Sequence, residues 1–117
     1  MSNEKPIRWM GSSLSDLLKF PEVTRREAGY QLSRVQNDLD PEHWKEFKVA
    51  GAGAREIIIS EDGNAFRVIY VAKLEKAVYV LHSFQKKTQQ TSKRDKQIAS
   101  NRYIQAVADR SKKRKDL

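Results

Sequence analysis

The run Phe66–Thr88, FRVIYVAKLEKAVYVLHSFQKKT, holds the side chains best suited to chemistry: Arg67, Tyr70, His82, Lys86 and Lys87. Arginine presents a planar fork that matches a phosphate or a carboxylate. Histidine is the one type here with an ordinary pKa near neutrality, so it can pass a proton. Phe84 stands just ahead of Lys86-Lys87, and Lys93, Arg94 and Lys96 follow soon after. An aromatic interleaved with cations suits single-stranded nucleic acid, whose bases stack and whose phosphates need neutralising. Plainer readings stand beside these. Arg67 lies in an apolar strand and needs a partner or solvent; Glu56 on a neighbouring strand would serve as well as a phosphate. A lone strand histidine is commonly a packed, hydrogen-bonded core residue. Thr88 and Thr91 suit turns as well as binding.

An RNA substrate would bring its own nucleophile, the 2′-hydroxyl, so cleavage would need no metal. Arg67, Lys86 and Lys87 fit charge stabilisation, and His82 or Tyr70 fits proton transfer. The chain has no cysteine, which excludes disulfides and thiolate metal sites, and its two histidines, His43 and His82, are too few for a His-rich centre. No metal and no cofactor are expected. Gly51-Ala52-Gly53 lacks the following Lys-Ser/Thr and helix of a phosphate loop, and reads as a backbone bend.

The net charge of +8 is confined to one part of the chain. Residues 1–50 carry eight basic and eight acidic side chains, residues 51–85 four of each, and residues 86–117 eleven basic and three acidic. The whole excess follows the hairpin, which points to a polyanion or an acidic protein partner. A solvated basic tail is the plainer alternative. At 117 residues and 38% hydrophobic, the chain reads as one domain, residues 1–117, with a frayed basic end at 110–117. No apolar run approaches the roughly 20 residues of a membrane span. MSNEKPIRW lacks the layout of a signal peptide. A cytoplasmic location and no membrane partner are expected.

The elements that must position these residues are legible in outline. Ile7 and Trp9 alternate in a short edge strand ended by Gly11. Ser13 with Asp16 resembles a capping box, and Leu14, Leu17 and Leu18 give that helix an apolar face. Phe20-Pro21 stops it. A second helix follows over about Glu22 to Asp38, with Ala28, Leu32, Val35 and Leu39 as its stripe. Arg25 and Arg26 lie away from that stripe, where a solvated face is the plainer reading and contact with RNA the other. Residues 40–54 read as a connector anchored by Trp44 and Phe47. Three strands follow: Arg55–Ser60, then Phe66–Ala72 after a Glu61-Asp62-Gly63-Asn64 turn, then Ala77–Gln85 after a turn at 73–76. Ser92, with Asp95 at the box position, opens a last helix whose face is Ile98, Ala99, Tyr103, Ala106 and Val107. The expected architecture is α+β, in the order β-α-α-β-β-β-α. It has a four-stranded antiparallel sheet with helices on one face and the other face partly open. Strict alternation puts Arg67, Ile69 and Val71 on one face of their strand, and Val78, Val80, His82, Phe84 and Lys86 on one face of the next. Register decides whether Arg67 and His82 meet.

Taken together, IRWMGSSLSDLLKFP, GAGAREIII and FRVIYVAKLEKAVYVLHSFQKKTQQT resemble the HigB-like, phage-related branch of the RelE/ParE toxin superfamily, over roughly residues 5–110. FRVIY and VLHSFQKKTQQT carry most of the likeness. The resemblance implies the small RelE-like α+β fold and the toxin of a type II toxin–antitoxin pair. The toxin would be an mRNA endoribonuclease, acting on the ribosome, that inhibits translation and growth. It implies a helix-turn-helix antitoxin, with operator DNA bound only through the complex. Within it Arg67 matches the strand arginine, Lys86 and Lys87 the KKT signature, Arg55 the strand-start arginine, and His82 the branch's histidine. The candidate catalytic set is then Arg67, His82, Lys86 and Lys87, with Arg55 from the resemblance and Tyr70, Phe84, Lys93 and Arg94 from the residue pattern as candidate RNA-binding side chains. The sequence departs from the RelE pattern at its end, where some members carry a catalytic tyrosine. Tyr103 sits at a packing position, and a helix with the Lys112-Lys113-Arg114-Lys115 tail fills that region. Two other functions fit the same features: a non-enzymatic, ParE-like inhibitor of DNA gyrase, and an RNA-binding domain without cleavage.

Overall fold

The computed structural model describes residues 4–73 and 76–115, the last five of these as backbone only. Its elements are β1 (Ile7–Trp9), α1 (Ser13–Leu17), α2 (Glu22–Gln36), β2 (Trp44–Glu46), β3 (Ala54–Glu61), β4 (Asn64–Val71), β5 (Val78–Lys86) and α3 (Lys93–Lys115). The centre of the 73–76 turn and the side chains of the basic end lie outside the described residues. Among those described, no helix is long and apolar enough to cross a membrane.

The α+β class is as expected, but the sheet has five strands in the order β1-β5-β4-β3-β2, and it is mixed. β2 pairs antiparallel with β3 inside the stretch read as a connector. Three residues, Trp44-Lys45-Glu46, offer too little alternation to announce a strand. β1 runs parallel to β5, with Ile7 opposite Val78 and Trp9 opposite Val80. No hairpin joins these two strands, so nothing local requires them to be antiparallel.

Local chemistry sets the turns. Glu61 pairs with Asn64, and the two residues between them, Asp62 and Gly63, have φ of 53° and 80°. Two positive φ values in a two-residue loop make a type I′ turn, whose twist matches the strands. At the end of α2, Leu39 N–H donates to the Arg34 carbonyl and Asp38 N–H to that of Val35. This is a Schellman ending with Asp38 in the left-handed position, φ 64°. It turns Leu39 outward, to 51% exposure, so the stripe of α2 ends at Val35. In α1 the cap is Ser12, whose Oγ bonds Asp16 Oδ2 at 2.7 Å. Ser13 is instead buried and donates to the Val80 carbonyl. Leu17 is the buried leucine of this short helix, while Leu14 and Leu18 face solvent.

The expected open face is closed. α1 and α2 pack Leu17, Phe20, Ala28, Leu32 and Val35 onto Ile57, Ile59, Phe66, Val68, Tyr70, Val78 and Val80. The Phe20 and Phe66 rings lie 4.9 Å apart. On the opposite face α3 lays Ala99, Tyr103, Ala106 and Val107 against Ile69, Val71, Tyr79 and Leu81. Two small residues, Ala99 and Ala106, let the helix approach closely. Gly51 makes room for the Tyr103 ring, 2.4 Å from where a β-carbon would sit, and Tyr103 Oη donates to the Ala52 carbonyl.

One irregularity decides the site. The β4–β5 register slips between Ile69 and Tyr70, which pair with His82 and Val80 and leave Leu81 as an extra residue. Past this bulge every side chain of β5 changes face. His82, Phe84 and Lys86 therefore sit on the α3 face, not on the face of Val78 and Val80.

Candidate nucleic-acid interface

The bulge and the pairing of Arg67 with Phe84 put Arg67, His82, Phe84 and Lys86 on one face of the sheet. On β3 the same face carries Glu56, opposite Ile69, and on β2 it carries Lys45, opposite Glu56. Glu56 is the hub. Its side chain is 2% exposed, with Lys45 Nζ 3.3 Å from Oε1 and Arg67 Nε 3.6 Å from Oε2. Neither Arg67 Nε nor Glu56 Oε2 has a hydrogen-bond partner. Arg67 Nη1 donates to the Phe66 carbonyl at 3.0 Å. The ion-pair reading of Arg67 thus holds, and the arginine lies under the groove floor at 11% exposure.

Above this cluster is a groove of about 350 Å³, lined by Lys45, Glu46, Lys48, Glu56, Lys86, Gln89, Gln90, Thr91 and Lys96 among others. Lys86 is its central cation. Burial, then Arg67 and Lys45, lower its pKa from the ordinary lysine value, and Glu56 opposes them. Lys87 leaves the strand exposed and is not among the lining residues. Lys93 and Arg94 are exposed on the first turn of α3, and Lys96 turns into the groove. Thr88 closes a turn by donating to the Gln90 carbonyl.

His82 is packed behind this groove. Its ring stacks on Phe84 at 4.7 Å and 21°, which covers the phenyl face that a base would need. Nε2 lies 2.7 Å from Asp95 Oδ1, while Ser92 Oγ donates to Asp95 Oδ2 and accepts from Asp95 N–H. The Ser92 half of the expected capping box is present, while the Asp95 carboxylate takes the Ser92 hydroxyl instead of its backbone N–H and also ties the start of α3 to the sheet. Burial lowers the His82 pKa, with Arg102 adding to the effect and Asp95 and Asp16 opposing it. The neutral ring then donates from Nε2 to Asp95 and leaves Nδ1 without a partner. Because the unfolded ring takes up a proton that the folded ring resists, stability is full above the ordinary histidine pKa of 6.5 and falls as pH drops below it. Urea midpoints taken from about pH 7.5 down to about 5.5 should fall more steeply for the parent than for His82→Asn. Parallel slopes would show that the ring is not held neutral.

Arg55 and Tyr70 lie elsewhere. They pair with each other across β3 and β4 on the α2 face. Arg55 stacks over Trp44 at 3.8 Å and pairs with Asp40 at 2.9 Å. Tyr70 is 1% exposed, and burial raises its pKa. A tyrosine enclosed there is out of reach of the Lys86 groove. This network fastens the 37–43 loop to the sheet.

Sequence reading missed Lys45 and Lys48 as groove residues and saw Glu56 only as a partner for Arg67. A polar residue inside the apolar run REIIIS was the available signal for Glu56. Lys45 had none, because β2 was not foreseen, and Lys48 follows that strand in the stretch read as a connector. Among the described residues, no group of three or more His, Asp or Glu comes together to hold a metal ion.

Residues 15–104 match the family model described as Phage derived protein Gp49-like (DUF891). No curated protein shows significant similarity to the chain. The matched span runs from α1 into α3 and contains every groove residue from Lys45 to Lys96; the chain belongs to the phage-derived Gp49-like family, within the RelE/ParE-like toxin superfamily.

Proposed function

We propose that this protein is the toxin of a type II toxin–antitoxin pair of the HigB-like kind, and that it is a metal-independent mRNA endoribonuclease acting at the Lys86 groove. The observation that carries the reading is a local charge excess. Three cations, Lys45, Arg67 and Lys86, surround the single buried carboxylate Glu56, so this cluster is left with two uncompensated positive charges. Lys96 lines the same groove, as do Lys48 and Glu46, which pair with each other at 3.3 Å and cancel. Such a groove attracts the phosphates of a single strand. The superfamily adds support, since RelE-type toxins are associated with ribonuclease activity and an antitoxin.

In this reading Lys45 and Arg67 stabilise charge on the phosphoryl oxygens as the RNA 2′-hydroxyl attacks phosphorus. Lys86, whose ammonium is easier to deprotonate than an ordinary lysine's, protonates the departing 5′-oxygen. Glu56 is the carboxylate beside them that accepts the 2′-hydroxyl proton. His82 acts through Asp95, by holding the start of α3 against the sheet. The substrate would be mRNA on the ribosome, in the cytoplasm, with a helix-turn-helix antitoxin as neutralising partner.

Lys86→Ala is the better test than Arg67→Ala, because Lys86 is half-exposed and its loss leaves no buried charge unpaired. Expression without an antitoxin should give mapped cuts in translated mRNAs. Lys86→Ala should lower that cleavage about 100-fold or more, the usual cost of one transition-state donor, while keeping the native circular dichroism. A folded Lys86→Ala protein with full cleavage would sink the assignment. Arrested replication with intact mRNA would favour gyrase inhibition.

A further inference from the structure

Plain alternation along VYVLHSFQK puts Val78, Val80, His82 and Phe84 on one face, yet the structure splits them with a bulge at Leu81. The bulge carries costs. It leaves Leu81 without a partner on β4. It also places Ser83 on the opposite face, 2% exposed, with an Oγ that bonds nothing. Something outside β5 must favour it.

Ser13 Oγ and Met10 N–H donate to the Val80 carbonyl at the edge of the bulge, and Arg102 of α3 reaches the carbonyl of Leu81 itself. Its Nη1 donates to the Leu81 carbonyl at 3.0 Å, and its Nη2 to Ser12 Oγ at 3.0 Å. One guanidinium thus joins the bulge, the approach to α1 and α3. It passes where only glycine leaves room. A β-carbon on Gly11 would sit 2.5 Å from Arg102 Nε, and Gly11 has φ of +53°, which glycine adopts without strain.

We propose that Gly11 and Arg102 form a register lock: Arg102, seated over Gly11, holds the Leu81 bulge and thereby turns His82, Phe84 and Lys86 toward α3. Arg102 is a positioning residue, acting through the backbone of β5. In the unbulged register Leu81 would lie opposite Ile69, and Ser83, in place of Phe84, opposite Arg67. His82, Phe84 and Lys86 would then face α1 and α2, and Lys86 would leave the groove. The lock is geometric and holds whatever the groove binds.

The test is the cross-strand pairing in solution, read by nuclear Overhauser contacts on the full chain. The parent should show Arg67 opposite Phe84 and Ile69 opposite His82. In Arg102→Ala the proposal expects Arg67 opposite Ser83, alone or as a second set of signals, with loss of the His82–Asp95 bond. Asp95→Asn is the control. It should weaken the contact to His82 while keeping Arg67 opposite Phe84, so the register effect is separable from simple loss of the histidine bond. A folded Arg102→Ala protein with the parent set alone would overturn the proposal. Should that variant fail to fold, Arg102→Gln keeps a shorter donor and carries the same comparison. Two sets of signals are then expected, and the parent set alone would again overturn it. Failure of the ribonuclease reading would leave these contacts untouched.

Discussion

Glu56→Ala should destabilise the protein by about 3–5 kcal/mol, the usual cost of breaking a buried ion pair from one side. The cost arises at Arg67. Lys45 is 58% exposed and can turn to water when Glu56 is lost. Arg67 is 11% exposed and would remain a buried cation without its counter-charge. Desolvation then goes uncompensated. Removing both charges should behave differently. Glu56→Leu with Arg67→Leu eliminates the desolvation as well as the attraction, and should recover most of the loss. Urea unfolding of the three proteins, followed by tryptophan fluorescence, decides the matter. A Glu56→Ala protein within about 1 kcal/mol of the parent would mean that Arg67 is better solvated than its surroundings indicate. The same argument limits what Arg67→Ala can report, since lost toxicity there would mix lost chemistry with lost fold.

Removing Lys45, Lys86 and Lys96 together, each to alanine, should weaken single-stranded RNA binding strongly and flatten its dependence on salt. All three line the groove on the α3 face, and two of them, Lys45 and Lys86, adjoin the buried carboxylate. Each phosphate contact on a single strand contributes about 0.7 to the slope of log affinity against log salt. Loss of three contacts therefore predicts a slope shallower by about 2. Fluorescence anisotropy with a labelled oligoribonucleotide over a salt series measures it directly. Changing Arg25, Arg26 and Arg34 on α2 supplies the comparison, because that helix packs on the other face of the sheet. An unchanged slope in the groove variant, with a reduced slope in the α2 variant, would move the RNA path to the opposite side of the molecule.

Much of the fold was legible because its elements carry local signals. The β3–β4 hairpin announced itself through Glu61-Asp62-Gly63-Asn64, although the positive φ values fall at Asp62 and Gly63 and Asn64 already belongs to β4. The start of α3 was marked by Ser92 and Asp95, and Ser92 Oγ caps it by accepting from Asp95 N–H. Ala28, Leu32 and Val35 are buried as their spacing requires. β2 escaped notice because three residues carry too little periodicity, and with it went Lys45, which it presents to the groove. The parallel placement of β1 escaped as well, since no turn chemistry links it to β5. Arg55 and Tyr70 looked like companions of Arg67 along the chain, yet alternation and pairing send them to the other side of the sheet.

The amino-acid sequence by itself determined the α+β class, most element boundaries, the confinement of the basic excess to residues 86–117, and the likeness to a toxin family. Those properties reside in composition and short-range pattern. Only the tertiary structure decided which charged side chains meet. Arg67, Glu56, Lys45 and Lys86 come from four strands, and one extra residue in β5 sets the face on which Lys86 lies. The period of a strand is two residues, so a one-residue bulge inverts every side chain beyond it. The contact that favours that bulge, Arg102 over Gly11 to the Leu81 carbonyl, reaches from α3 across the fold. No pattern within β5 carries it.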